Sequence, residues 1–442
     1  MSIEHVCTTE KQAWQVGTVK SGGAVSGTNL KLSGERFQTV KGFGGCFNEL
    51  GEAALRKMPA RRQEEVMQAL FGDEGCRFGF CRLPMGASDY ALEWYSLDEH
   101  DGDYAMEHFS VARDEQYLLP YVKRALAVRK GIEFFASPWS PPTWMKTHKV
   151  CNHGTMRWEP AVLKAYALYF EKFVRAYQER GVNVTQVHVQ NEPMSDQKFP
   201  SCVWTGDQMR EFIASYIGPH FEKNKVRADV WLGTINGPET DHRWAHTRFD
   251  QFANNVLSDP VAAKYTKGVA YQWAGKNALQ QTHLAYPHVP LIQSENECGD
   301  GQNNWRYALY VWELMQHYFT NSVVAYVYWN MILEESGVST WGWRQNSMIT
   351  VHPQTGEPAY RHEFYMMKHL ARYVMPGAVR LGLTGPWTSN ALAFENPDKS
   401  VVLALANPFG NPRQLAFEAG GTGMEVMLEA SSMNTFVMKG RG

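Results

Sequence analysis

Apolar and polar positions along the chain follow two rhythms. Short runs with a two-residue period, or with unbroken hydrophobicity, alternate with longer runs whose apolar residues recur every three or four positions. The first kind reads as strands and the second as amphipathic helices. Strands are predicted over 37–44, 77–84, 133–138, 184–191, 229–235, 268–273, 291–295 and 323–330, with helices over 60–71, 114–130, 160–180, 207–223, 246–257, 277–286 and 304–319. Eight strands alternating with helices predict an α/β fold of the (β/α)8 TIM-barrel type rather than a doubly wound sheet.

The two ends have a different texture. Residues 13–39 are rich in Gly, Ser and Val with short alternations, and after a last helix over 359–374 the sequence Met375-Pro376-Gly377 breaks the pattern. From 378 to 442 the chain returns to short alternating strands. Neither end is long enough for a good sandwich alone, so residues 1–40 and 376–442 are expected to form one accessory β-sandwich beside a barrel over 41–375. At Gly42 the stretch GFGGCFNELG packs four glycines into ten residues, which suggests a tight turn at a strand end close to a ligand.

Two strand runs end in carboxylates. In TQVHVQNEP the alternation stops before Pro193, which cannot donate to a sheet ladder, leaving Glu192 at the strand tip. PLIQSENECG repeats this arrangement with Glu295. By the strand count these tips belong to the fourth and seventh strands and open on the face where such barrels place catalytic groups. Retaining glycoside hydrolysis needs one carboxylic acid and one carboxylate roughly 5–5.5 Å apart. Glu192 is expected as acid/base, its pKa raised by burial and a negative neighbour, and Glu295 as the ionised nucleophile. Glu297 is the rival nucleophile. Asn191 is placed to bond the sugar 2-hydroxyl, and Arg82 on the second strand to hold a carboxylate and favour its charge.

Composition narrows the partners. The chain carries 15 Trp, 20 Tyr and 22 Phe, a supply of flat faces on which sugar rings stack. A formal charge of −2 gives no footing for nucleic acid, and no apolar stretch is long enough to span a bilayer. Seven cysteines with no CxxC, and no visible leader at the start, read as free thiols in a cytoplasmic protein. His242 and His246, and His148 and His153, form no ligand set, there is no HExxH and no GxxxxGK[ST], so neither metal nor cofactor is expected.

From Gly42 onward GFGGCFNE, FCRLPMGASDY, FASPWSPPTWMKT, VQNEP, the SE of QSENECG, and VYWNMIL occur in that order. In these motifs the chain resembles glycoside hydrolase family 30, the group of lysosomal glucosylceramidase and microbial endo-β-1,6-glucanases. The resemblance implies a barrel with a β-sandwich, a retaining mechanism on a β-glycoside, Glu192 as acid/base and Glu295 as nucleophile. It also implies that Asp89 and Trp139 contact hydroxyls of the non-reducing sugar, with Trp329 and Asn330 as further lining. Tyr271 and Trp273 lie in YQWAG, where the chain departs from glucosylceramidase on the leaving-group side, and they are expected to touch substrate there. Trp341 and Trp343, in the loop after the eighth strand, suit a second sugar or surface packing. A β-xylosidase or β-fucosidase on the same scaffold, or an inactive carbohydrate-binding barrel, are the alternatives.

Overall fold

The computed structural model describes residues 2–22, 25, 27–237, 251–419 and 422–439. Three strands come first, β1 (Ser2–Thr9), β2 (Gln15–Gly22) and β3 (Leu30–Thr39). Eight parallel strands follow: β4 (Gly42–Cys46), β5 (Phe80–Pro84), β6 (Glu133–Ser137), β7 (Val184–His188), β8 (Asp229–Ile235), β9 (Thr266–Gln272), β10 (Leu291–Glu295) and β11 (Val323–Asn330). Each pairs with the next, and β11 closes the circle on β4. This is the TIM barrel that the alternation predicts, with β8, β10 and β11 at the bounds read from the sequence.

Two readings near the start need correction. The strand read over 37–44 is two strands in different sheets, because the chain changes partners in mid-run: the Val40 N–H donates to Ala378 O and the Lys41 N–H to Val324 O. Period-two hydrophobicity runs through such an exchange unbroken. The glycine-rich stretch is strand β4 and not a turn. Its glycines permit close approach of neighbours, since a Cβ at Gly44 would lie 1.7 Å from Phe80 O and one at Gly45 would lie 2.2 Å from Met331 Cγ.

Most helices lie where the apolar spacing puts them, including Ala60–Phe71 and Trp305–Thr320. Glu49–Lys57 and Pro260–Tyr265 are additional, capped by Asn48 and Asp259 side chains that accept backbone N–H groups of the first turn. The helix read over 207–223 contains a π-helical turn, Ile213–Ile217. Of the helix read over 246–257, Gln251–Leu257 is seen; the preceding residues, with His242 and His246, lie outside the described residues.

Apolar side chains of alternate strand residues plug the barrel: Phe80, Phe135, Trp231, Ala270, Ile292, Ala325 and Val327. Gly268 leaves room for the Trp231 ring, which a Cβ there would meet at 2.2 Å. The plug stops one layer below the C-terminal strand ends, where polar side chains replace it. After β11, the short strands β12 (Ile332–Glu334), β13 (Ile349–Val351) and β14 (Pro358–Tyr360) form a small sheet that pins both ends of the loop carrying Trp341, Trp343 and Gln345.

The remaining strands are β15 (Val379–Thr384), β16 (Ala391–Glu395), β17 (Val401–Asn407), β18 (Arg413–Ala419), β19 (Thr422–Leu428) and β20 (Ser432–Met438). With β1–β3 they form the β-sandwich, hydrogen-bonded round in the order β1-β2-β19-β18-β3-β15-β16-β17-β20 so that no edge is left unpaired. Buried His369, on the helix His362–Ala371, ties the two bodies together with one ring nitrogen 2.9 Å from Thr435 Oγ1 and the other 2.8 Å from Thr8 Oγ1. All seven cysteines are free thiols, and no helix among the described residues is long and apolar enough to cross a membrane.

Candidate active site

Five strand ends converge above the plug. Arg82 on β5 is fully buried, and its guanidinium serves three of them. Nη2 donates to Asn191 Oδ1 at 2.6 Å and to Ser137 Oγ at 2.8 Å, and Nη1 donates to Glu295 Oε2 at 2.7 Å. Its flat face lies 4.5 Å from the Trp139 ring centroid. A guanidinium locked by ring stacking and by hydrogen bonds in its plane is a rigid positive charge at the floor of the site.

Glu295 ends β10 and is almost fully buried. Besides Arg82, its Oε2 accepts from Gln272 Nε2 at 3.2 Å, and its Oε1 accepts from the Trp273 indole N–H at 3.1 Å. Glu192 follows β7 with φ +48°, a conformation rare for a side chain larger than glycine, and its backbone N–H donates to Thr234 O. Its Oε1 accepts from the same Gln272 Nε2 at 3.1 Å and its Oε2 accepts from Ser195 Oγ at 2.7 Å. Trp273 has φ +47°, so one member of the pair and the residue that bonds the other both hold strained backbone.

Burial raises the pKa of both carboxyls, Glu192 and Glu295. At Glu295 the Arg82 charge opposes that push while the neighbouring Glu192 adds to it. At Glu192 only the Ser195 hydroxyl, Gln272 and a weaker influence of Arg82 oppose it. Glu295 faces a guanidinium, an indole N–H and the N–H2 end of Gln272, which it shares with Glu192, and all three only donate, whereas the Ser195 hydroxyl beside Glu192 can also accept. The upward push is the larger at Glu295, to about 7, whereas the donors that surround it and the hydroxyl beside Glu192 favour the charge on Glu295 and the proton on Glu192.

A cavity of about 280 Å³ opens over the pair, lined by Asp89, Trp139, Asn191, Glu192, Trp273 and Glu295 and rimmed by Phe199, Trp343 and Gln345 among others. Asp89 is buried with Oδ1 unpartnered, and burial followed by repulsion from Glu295 and Glu192 lifts its pKa well above the usual range. A buried acceptor with no protein partner is suited to a ligand hydroxyl. Since Asn191 Oδ1 is taken by Arg82 and by Thr234 Oγ1, its amide N–H2 is the end left for the cavity.

Six of the ten residues read from the sequence thus line one cavity, and four stand elsewhere. Arg82 lies beneath the cavity and acts through Glu295 and Asn191. Tyr271 points out of the barrel, its hydroxyl 2.6 Å from Thr282 Oγ1, because alternate strand residues face opposite sides and Gln272 takes the inner one. Trp329 packs behind Trp139, ring centroids 5.3 Å apart, and Asn330 is fully buried with its amide on Gln345 Oε1 and its carbonyl accepting from Asn48. Both support the wall rather than form it. The rival Glu297 lies outside the cavity, paired with Lys276 and bonded by the Tyr310 hydroxyl. Trp343 reaches the rim, and Trp341 packs between it and Phe199. Sequence reasoning missed Gln272 and Ser195, which bond the pair, and Asn236, which donates to Ser195 Oγ. Ser195, three residues after Glu192, carries a local signal. Among the described residues no group of three His, Cys, Asp or Glu could hold a metal ion.

Comparison with known proteins agrees with this geometry. The glycosyl hydrolase family 30 TIM-barrel domain matches residues 40–374, and the beta sandwich domain of the same family matches residues 377–436. The chain is 26% identical to the lysosomal acid glucosylceramidase of Mus musculus over 96% of its own length and 86% of that protein. It is 24% identical to the endo-1,6-beta-D-glucanase of Neurospora crassa over 92% of its length and 87% of that protein. The crystal structure of SrfJ from Salmonella typhimurium superposes with a TM-score of 0.91 at 21% identity, covering 100% of both chains.

Proposed function

The chain belongs to glycosyl hydrolase family 30, and from that premise we propose that it hydrolyses β-glucosidic bonds with retention of configuration, Glu295 being the nucleophile and Glu192 the acid and base. The observation that carries this reading is the amide of Gln272. One nitrogen lies 3.1 Å from Glu192 Oε1 and 3.2 Å from Glu295 Oε2, so those oxygens are no more than about 6.3 Å apart, short of the roughly 6.5–9.5 Å of inverting pairs. Glucosyl specificity is supported by the relatives, one a glucosylceramidase and one a 1,6-β-glucanase.

In the first step a Glu295 carboxylate oxygen bonds to the anomeric carbon while the bond from that carbon to the leaving oxygen breaks. Glu192 passes its proton to the leaving oxygen, so the aglycone departs neutral and a glycosyl ester remains on Glu295. Glu192, now a carboxylate, takes a proton from an entering water whose oxygen attacks the same carbon. The ester bond breaks and both glutamates return to their starting states. Asp89 and the Asn191 amide hold sugar hydroxyls through both steps, and Trp139 lends an apolar face to the ring.

A 2-deoxy-2-fluoro-β-glucoside with a good leaving group tests the assignment. Mass spectrometry of the digested protein should find the sugar on Glu295. A label on Glu297, or hydrolysis that leaves no adduct while inverting the anomeric centre, overturns it.

A further inference from the structure

Gln272 touches neither the cavity nor solvent, yet it contacts more of the catalytic pair than any lining residue does. Its amide is fixed end for end. Oε1 accepts from Ser294 Oγ at 2.9 Å and from Arg82 Nη1 at 3.3 Å, both groups with a hydrogen to give. Nε2 therefore faces Glu192 and Glu295, and a flipped amide would set its carbonyl against two carboxylate oxygens. The sheet places it there: Gln272 on β9 stands in register with Glu295 on β10. The next residue, Trp273, adopts its left-handed backbone and swings its indole N–H onto the other oxygen of Glu295.

From this arrangement we propose that Gln272 is a positioning residue that clamps the acid/base to the nucleophile, holding their spacing and dividing the single proton between them. The proposal rests on the roles given above to Glu192 and Glu295. An amide with two N–H groups can serve two carboxylates at once and cannot itself take or lose a proton at neutral pH. It follows the pair through the cycle. While the ester stands on Glu295, its N–H groups remain available to Glu192 in the carboxylate form that must draw a proton from water. When the ester is gone, they stabilise the charge restored to Glu295. A donor that favours the ionised form of both partners pulls both titrations toward acid pH. The Gln272 contact does oppose the upward push of burial at Glu192.

Two variants test the clamp on an aryl β-glucoside. Gln272→Met fills the space and donates nothing. It should lower kcat by about 10- to 100-fold with KM little changed, and should move both limbs of the pH profile upward by about half a unit to one unit. Gln272→Glu offers an O–H donor and a carbonyl only while protonated. Its activity should be lost at neutral pH and recover as the pH falls, which space-filling alone would not produce. Thermal unfolding of each variant reports whether a fold remains. A folded Gln272→Met enzyme with the parent pH profile, or a Gln272→Glu enzyme whose activity does not return in acid, overturns the clamp. Failure of the fluoroglucoside to label Glu295 in the parent enzyme would instead defeat the assignment beneath it.

Discussion

The guanidinium of Arg82 stands 2.7 Å from Glu295 Oε2, with neither side chain meaningfully open to solvent. A buried ion pair is seldom a net source of stability, because desolvation offsets the attraction. On the proposed mechanism the pair keeps Glu295 charged, the Arg82 charge opposing the push of burial and of Glu192. Arg82→Met should lower kcat by about 100-fold or more and move the acid limb of the pH profile upward, since the nucleophile then ionises only at higher pH. Arg82→Lys keeps a charge and loses the fork, and should fall between. Steady-state kinetics across pH measures both.

The pair itself predicts a bell-shaped dependence of kcat/KM on pH. On the proposed roles, activity should rise as Glu295 loses its proton and fall as Glu192 loses its own. Burial raises both, so both limbs should lie above the ordinary glutamate value of 4.5. A pH–rate profile on an uncharged substrate reads both limbs.

Glu192→Ala should separate the two chemical steps. With a poor leaving group kcat should fall by about 10²- to 10⁴-fold, whereas a dinitrophenyl glucoside, whose departure needs no proton, should still form the ester and give a burst. Added azide should then yield β-glucosyl azide. Glu295→Gln should abolish turnover of every substrate.

On the proposed reading Asp89 trades stability for recognition. Its buried Oδ1 has no protein partner, so Asp89→Leu should raise the melting temperature by a few degrees while lowering kcat/KM by about 100-fold or more. Calorimetry and kinetics on one preparation test the pairing of these effects.

A buried carboxyl away from the cavity, Glu363, also makes stability itself pH-dependent. Glu363 accepts from Asn346 with Oε1, leaves Oε2 unpartnered, and is pushed up to about 7 by burial. Its folded pKa exceeds the unfolded 4.5, so the stability it lends is complete below 4.5 and is lost as the pH climbs through 7. Chemical unfolding should show a decline across that window to which Glu363 contributes up to about 3 kcal/mol, and Glu363→Gln should remove that share while the other raised carboxyls keep theirs.

The residues best legible in the sequence were those where a strand run halts at a carboxylate, Glu192 before Pro193 and Glu295 as the last residue of the strand run Leu291–Glu295. The barrel was legible for the same reason, since its two periodicities are properties of adjacent residues. What escaped depends on which remote strands become neighbours. A glutamine such as Gln272 has no distinctive pattern until β9 and β10 align in register and set it between two acids. Tyr271 was misplaced because a strand buried on both faces gives no alternation to show which residues look inward. Strand β4 was masked by Gly44 and Gly45, which make room for Phe80 and Met331, and the helix Glu49–Lys57 by Gly51, which lies against Ile332 and Tyr121, demands invisible until those residues arrive.

In the side sheet, Glu4 of β1 stands opposite Val437 of β20, so two strands with the whole barrel between them in sequence zip directly together. The hairpin β1–β2 leaves the ribosome well before β20, and until that strand arrives one of its flanks offers unpaired amides to any passing chain. Refolding after complete unfolding should accordingly be most vulnerable to clumping before that seam closes, and a short peptide copying β20, added in excess, should compete for the seam and slow recovery of the native protein.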